Sequence, residues 1–260
     1  MSLRLCVLGS GSSGNCTYVA SDHTHVLIDA GLSGREIAQR LESIGARLSD
    51  VTAVCVTHEH DDHISSLSML QRKYGIALYA NAGTIEAIRQ SAKRGELRWN
   101  VFATGYAFSI GDLTMEPFSV PHDSYDPVGF VVSTDDTKTG VVTDMGMVTS
   151  LIRERLRHCQ ALVIESNHDE QLLKDARRPW PLKQRIAGRQ GHLSNSQTGQ
   201  LLSEVAGPHL AVVLLAHLSA ECNRHDIALK SARQALTEAG YPNVAVKLTY
   251  PDKPSEDVRL

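Results

Sequence analysis

The 260-residue chain contains no apolar run approaching the ~20 residues that a membrane-spanning helix requires. It contains no C-x-x-C pair either. Its five cysteines, Cys6, Cys16, Cys55, Cys159 and Cys222, are odd in number and widely scattered. That spacing argues against a disulfide framework and for buried, reduced thiols in a cytoplasmic protein. The opening residues MSLRLCVLGS lack the apolar stretch and cleavage site of a secretory leader and read as a first strand. There is no surplus of basic charge: the net charge is −3 and the pI near 6.4. Global attraction to polyanions is therefore excluded, and any nucleic-acid binding has to use a local patch or bound metal. No linker, low-complexity tract or internal repeat suggests a boundary, so residues 1–260 read as one domain. The remaining composition, 42% hydrophobic and 21% charged, is that of an ordinary globular protein.

What the chain has in quantity is histidine, twelve in all. Their meaning depends on where the strands end. Short β-branched runs bounded by Gly, Asp or Asn read as strands at 3–10, 16–21, 25–31, 51–58 and 76–81. Others follow within 106–120 and at 128–134, 139–146, 161–166, 211–219 and 244–250. Amphipathic spacing predicts a helix over 33–46, with Ser33 as N-cap and Ile37, Leu41 and Ile44 on one face. Further helices are expected over 63–75, 82–95, 147–159, 194–207 and 223–240, several ending at glycine. Residues 101–146 read as nearly all strand, with hairpin signals at IGDL and TDDTKTG. This order implies two β-rich sheets with helices outside both.

Residues 9–14, GSGSSG, match a dinucleotide-binding fingerprint literally. That fingerprint needs a helix next, whose N-terminus takes the pyrophosphate. The β-branched and aromatic NCTYVAS follows instead. The segment therefore reads as a strand-to-strand turn, with a minor role for its amides near an anionic substrate left open.

Residues 58–63, HEHDDH, stand at the end of the apolar run VTAVCV. His58 and His60 lie two apart, so an extended backbone aims both the same way. Asp62 and His63 open the next helix. Three more strand ends carry ligand-type side chains: His122 after 113–120, Asp144 in TGVVTDMG and His217 in VVLLAHLS. A lone histidine is by default structural, but agreement among four strand ends indicates a metal centre. Imidazole and carboxylate donors suit zinc, manganese or iron.

THEHDDH with the spaced His122, Asp144 and His217 resembles the metallo-β-lactamase-fold hydrolases, α+β proteins built as a four-layer αββα sandwich. The resemblance runs along essentially the whole chain. It implies two divalent transition-metal ions, one on His58, His60 and His122, the other on Asp62, His63 and His217, with Asp144 shared. Such paired ions polarise an ester and acidify the attacking water, which Asp62 would orient. Glu59 and Asp61 fall at positions that the motif leaves free. They are expected to be solvated, with a supporting role as the alternative. His60 is similar to the hydrolases and unlike the flavodiiron oxygen reductases, which carry Glu there; one-iron dioxygenases share the full motif.

Segment 160–217 resembles the transfer-RNA 3′-processing nucleases of this fold. By that likeness Glu165 orients His192, and His192 contacts the phosphate and protonates the leaving oxygen. A cationic His beside a helix N-terminus at Ser194 suits a phosphate. GSGSSGN, ESNHD, GHLSN and HLSAECN are similar to the YycJ/WalJ group, which implies a 5′→3′ exonuclease acting on DNA. The inserted cap of the β-CASP nucleases and the flexible arm of the transfer-RNA enzymes are missing, so substrate length and end preference stay open. Residues 170–190 carry Lys174, Arg177, Arg178, Lys183, Arg185 and Arg189 against only Glu170 and Asp175, with Trp180 between two prolines. Such a basic segment could grip a phosphate backbone through Arg177, Arg178 and Arg185 and stack a base; a solvated helix with a packed Trp is the alternative. The expected partner is nucleic acid, DNA in particular, and no membrane. A cyclic phosphodiesterase and a glyoxalase II-like thioester hydrolase are the competing activities.

Overall fold

The computed structural model describes residues 2–91 and 96–260. The first sheet is built from β1 (Arg4–Gly9), β2 (Cys16–Ala20), β3 (His25–Ile28), β4 (Ala53–Cys55), β5 (Ala77–Asn81) and β6 (Trp99–Phe102). The second holds β7 (Phe108–Ile110), β8 (Leu113–Ser119), β9 (Val128–Ser133), β10 (Lys138–Val142), β11 (Ala161–Glu165), β12 (Val212–Ala216) and β13 (Ala245–Leu248). The terminal strand β14 (Val258–Arg259) returns to the first sheet beside β1.

The two sheets are paired alike. Their orders are β14-β1-β2-β3-β4-β5-β6 and β13-β12-β11-β10-β9-β8-β7. In the first, β1, β2 and β3 form an antiparallel meander and β3 to β6 run parallel. In the second, β7 to β10 form the meander and β10 to β13 run parallel. The chain thus repeats one winding pattern without any sequence repeat to announce it.

Strand periodicity builds the layers. Leu5 and Val7 of β1, Ala161 and Val163 of β11, and Val212 and Leu214 of β12 point inward and form the core between the sheets. Their neighbours Cys6 and Leu8 point outward, as do Leu162, Ile164, Val213 and Leu215. Each sheet is therefore buried on both faces, which is why these strands read as continuous apolar runs. Outside the first sheet lie α1 (Gly34–Ser43), α2 (Asp61–Ile64), α3 (Leu67–Tyr74) and α4 (Ala82–Gln90). Outside the second come α5 (Ser150–Leu156), α6 (Glu170–Asp175), α7 (Trp180–Ile186), α8 (Asn195–Val205) and α9 (His225–Glu238). This is the expected αββα arrangement. No helix among the described residues is long and apolar enough to cross a membrane.

Local signals set most boundaries. Ser33 caps α1 through a capping box with Glu36, and Thr149 and Ser194 cap α5 and α8. The helix expected over 63–75 is instead two helices. Ser66 is drawn away to the 30–32 loop: its N–H donates to the Ala30 carbonyl at 2.9 Å and its hydroxyl to the Leu32 carbonyl. Residues 92–95 of the helix expected over 82–95 lie outside the described residues. The basic segment 170–190 forms α6 and α7 with Arg177 and Arg178 in the bend between them, and Trp180 is exposed at 65% rather than packed. All five cysteines are free and buried. Burial pushes the Cys6 thiol up to about 11, so it is not poised as a nucleophile at neutral pH.

One backbone crossing is only possible at glycine. A Cβ on Gly31 would lie 1.6 Å from the Asp62 carbonyl oxygen and 2.8 Å from the Asn15 nitrogen. Gly31→Ala is expected to cost about 1–3 kcal/mol by overpacking. It should lower the thermal midpoint by several degrees and weaken binding of divalent cations by displacing Asp62. Gly207→Ala, where a Cβ meets nothing within 4 Å, serves as the control in calorimetry and metal titration. Equal behaviour of the two variants would contradict the crossing.

Candidate metal centre and active site

The parallel strands of both sheets deliver polar side chains to one end of the sandwich. Asp29 follows β3, residues 57–63 follow β4, Asp144 follows β10, Glu165 ends β11 and His217 follows β12. Asp29, Asp144 and His217 adopt positive φ angles of 64°, 56° and 54°. A left-handed residue turns the chain sharply as it leaves a strand. For a side chain with a Cβ it is uncommon, and such strain clusters at functional sites.

The seven residues expected as ligands converge. Donor atoms of His58, His60 and His122 lie within 4.8 Å of one another, as do those of Asp62, His63 and His217, and those of His58, His63 and Asp144. His58 Nε2 is 3.1 Å from His60 Nδ1. Asp144 faces two members of the second group, with Oδ2 3.3 Å from His63 Nε2 and Oδ1 3.4 Å from His217 Nε2, and through the third cluster it also lies near His58 of the first. His122 Nε2, His217 Nε2 and Asp144 Oδ2 are buried with no hydrogen-bond partner among the described residues. Buried lone pairs without partners are costly unless a cation takes them.

The opposite edge of several rings is anchored, as metal-binding imidazoles require. His58 Nδ1 meets the Thr57 hydroxyl at 2.9 Å, and that hydroxyl donates to Asp29 at 2.8 Å. His63 Nδ1 lies 2.7 Å from Asp29 Oδ2. His122 Nδ1 donates to the Gly191 carbonyl at 3.2 Å. His217 Nδ1 sits 3.2 Å from Asn167 Nδ2 and 3.4 Å from Glu165 Oε1. The donor set therefore fits divalent transition metals in both its free and its anchored atoms.

Electrostatics agree. Burial holds His58 well below the usual imidazole range, with His63 adding to the effect, and burial also lowers His122. Burial opposes charge on His63, yet Asp29 and Asp144 push it up to about 10. His217 is likewise raised well above the usual range by Asp144, Asp62 and Glu165, against burial. Asp144 is held well below the usual carboxylate range, against burial, by His217 and His63. Without a cation, protons neutralise this cluster of carboxylates.

Glu165 and His192 form a second unit. Glu165 is fully buried, and its Oε1 accepts from His192 Nδ1 at 2.8 Å. Its Oε2 accepts from the Met145 and Leu193 amides, each at 3.1 Å. Burial opposes ionisation of Glu165, but His192 lowers it to about 2, and Glu165 in turn raises His192 against burial. With Nδ1 committed, His192 presents Nε2 to a 470 Å³ cavity that His60, Asp62, His122, Asp144 and His217 also line.

Other residues fall differently from expectation. Ser194, expected to contact substrate, is 2% exposed, and its hydroxyl caps α8 by accepting from the Gln197 amide. Arg178 and Arg185 line the cavity, paired with Glu221 at 2.7 Å and Asp123 at 2.6 Å; Arg177 is exposed outside it. Glu59 is not solvated: its Oε1 accepts from the Tyr125 amide at 2.9 Å and ties down the loop after His122. Asp61 is exposed.

Sequence reasoning missed Asp29, Asn15 and Asn167. Asp29 ends a strand like the ligands, and that signal could have found it. Asn15 follows the glycine-rich turn. Its amide N–H donates to the Asp62 carbonyl at 2.7 Å, and its Nδ2 lies 3.2 Å from Asp62 Oδ2. In the same turn, the Ser10 hydroxyl accepts from the His217 amide at 2.7 Å. The turn between β1 and β2 is thus a scaffold under both Asp62 and His217.

A family model described as a beta-lactamase superfamily domain matches residues 24–217. The exodeoxyribonuclease YycJ of Bacillus anthracis is 35% identical over 244 residues, 93% of this chain and 92% of that protein. The exodeoxyribonuclease WalJ of Streptococcus pneumoniae serotype 2 is 35% identical over 239 residues, 91% of this chain and 89% of that protein. Among solved structures, the metallo-beta-lactamase fold protein YhfI from Bacillus subtilis superposes with a TM-score of 0.75 at 15% identity, covering 100% of this chain and 99% of that one. At that identity the likeness shows the fold alone.

His63 and His217 hold protons in the metal-free protein, so cation binding has to expel them. Zinc uptake by chelated protein is expected to release protons and to tighten from about pH 6 to about pH 8. Calorimetry in buffers of different ionisation enthalpy measures both. Because the folded His63 value lies above the ordinary 6.5, its contribution to stability is complete below that value. In chelated protein it is lost as pH rises through about 10. Binding without proton release would contradict this charge state.

Proposed function

The chain belongs to the beta-lactamase superfamily and is a metal-dependent hydrolase, and from that premise we propose that it is a dinuclear phosphodiesterase cleaving nucleic acid, a 5′→3′ exonuclease on DNA. The observation that carries this reading is the buried Glu165 holding His192 Nδ1 at 2.8 Å, with the other ring nitrogen facing the cavity over the ligand cluster. A fixed imidazole whose carboxylate partner favours its protonated form, beside a set of metal ligands, suits a phosphodiester, whose leaving alkoxide needs a proton. The names of the two bacterial relatives support DNA as the polymer.

In this reading His58, His60 and His122 would hold one divalent cation and Asp62, His63 and His217 the other, with Asp144 available to both. Zinc and manganese suit the donors best, with iron as a further option. When bound, the pair supplies Lewis acidity toward the ester and the attacking water. Asp62, held by Asn15, orients that water by accepting a hydrogen bond. Glu165 raises His192 against burial and so favours the protonated ring, which gives its proton to the leaving oxygen. Glu165 is immobilised by the Met145 and Leu193 amides and so fixes the ring. Arg178 and Arg185 attract the phosphate from the cavity wall. The relatives are matched along nearly their whole length, which supports residues 1–260 as one hydrolase domain, and five reduced, buried thiols suit a cytoplasmic setting.

The test is metal-dependent release of mononucleotides from 5′-labelled DNA. His192→Ala is expected to lower kcat by about 10²–10⁴, with smaller effect on metal content. Glu165→Gln removes the charge that raises His192, so the loss of activity at high pH should begin at a lower pH. Metal-loaded protein that never shortens DNA or RNA would end the proposal.

A further inference from the structure

The 470 Å³ cavity has room for a small-molecule-sized group, not for a strand. If the substrate is a polymer, the rest of it has to leave the cavity along the surface. A second depression of 690 Å³ adjoins the first and shares Asp123 and Arg185 with it. Its other lining includes Pro121, Met147, Arg189 and Gln190. The Arg185–Asp123 ion pair, at 2.6 Å, is therefore the threshold between the two spaces. It is a surface pair, with the Arg185 side chain 64% exposed, and such pairs exchange partners at little cost.

The outer groove is held firmly against the catalytic residues. A Cβ on Gly146 would lie 2.4 Å from Arg189 C and from Gly191 N, so the 188–191 loop rests directly on the Gly146 backbone. The Asp123 amide donates to the Gln190 carbonyl at 3.1 Å, and the Gly191 carbonyl accepts from His122. The same short loop that lines the groove thus leads into His122 and His192. Arg189 is exposed, and no carboxylate pairs with it among the described residues. Among the described residues Asp123 is the one acid lining the groove; its Oδ2 pairs with Arg185, and its Oδ1 lies 3.4 Å from His122 Nε2.

We infer that this groove is the track for the nucleic-acid strand outside the catalytic cavity, with Arg185 and Arg189 binding successive backbone phosphates. A phosphate displaces Asp123 from Arg185 at the threshold, and the next is met by Arg189. The inference rests on the nuclease reading and adds a site outside the catalytic cavity. Charge chooses the occupant: an unpaired guanidinium beside an exchangeable one, continuous with a phosphodiester site, matches a polyanionic backbone.

The experiment compares Arg189→Ala and Arg189→Lys with the parent, all metal-loaded. Two substrates are used, bis(4-nitrophenyl) phosphate and a labelled single-stranded DNA oligonucleotide, the latter over a range of salt concentrations. Arg189→Ala is expected to leave hydrolysis of the chromogenic diester unchanged and to raise KM for the oligonucleotide several-fold. The dependence of log affinity on log salt should become shallower by about 0.7, because one phosphate is no longer neutralised. Arg189→Lys should keep most of that slope. An unchanged KM and slope in a protein that still degrades the strand would overturn the groove alone. Equal loss on both substrates would also overturn it, because that marks damage to the fold. Parent protein that hydrolyses the diester but no strand would overturn the proposed function together with this inference.

Discussion

Asp144 is a buried carboxylate, only 3% exposed. One oxygen faces His63 at 3.3 Å and the other faces His217 at 3.4 Å. A charge so placed must be neutralised by protons or by metal cations, and the surrounding structure is arranged around that necessity. The residue reaches its place through a left-handed turn at φ 56°, an unfavourable conformation that only extensive packing can hold. The residues that face it come from strand ends in both sheets, so the whole sandwich has to close before the cluster exists.

Support for the cluster lies one layer back. Asp29 binds His63 and, through Thr57, His58. Asn15 holds Asp62, and Ser10 holds the His217 backbone. These partners fix which ring nitrogens are free, which decides what the rings can coordinate. They also explain why a glycine-rich turn follows the first strand in a chain with no nucleotide fold. That turn has to approach the 57–63 segment closely, and Gly31 makes the crossing possible from the other side.

The second winding of the chain adds what the first lacks. Both halves repeat a meander followed by parallel strands, so both place strand ends at the same edge of the sandwich. The first half supplies Asp29 and the 57–63 cluster. The second contributes His122, Asp144 and His217, the Glu165–His192 pair and the arginine-bearing helices over the cavity. The metal-ligand-type residues and the Glu165–His192 pair thus meet along the seam between two similar units. The basic segment folds as two short helices joined by a bend, with Arg185 on α7 and Arg178 in the bend before it, and both line the cavity wall.

The seven ligand-type residues were legible in the sequence because each lies on or beside a short apolar run, and such runs are local signals. The same holds for the Ser33 cap and the hairpins around IGDL and TDDTKTG. The mirrored pairing of the sheets was not legible, since winding is set by which strands meet and not by any residue pattern within them. Nor were the duties of Asn15, Glu59 and Asn167, whose partners stand 47, 66 and 50 positions away. Ser194 was misplaced for a related reason: a serine before a helix can cap it or face a ligand, and only its burial decides. Residue type and local spacing therefore determined which groups could bind metal and phosphate. Tertiary structure alone decided which nitrogen of each ring is free, which arginines reach the cavity and where a groove leaves it, because those depend on distances between segments remote in the chain.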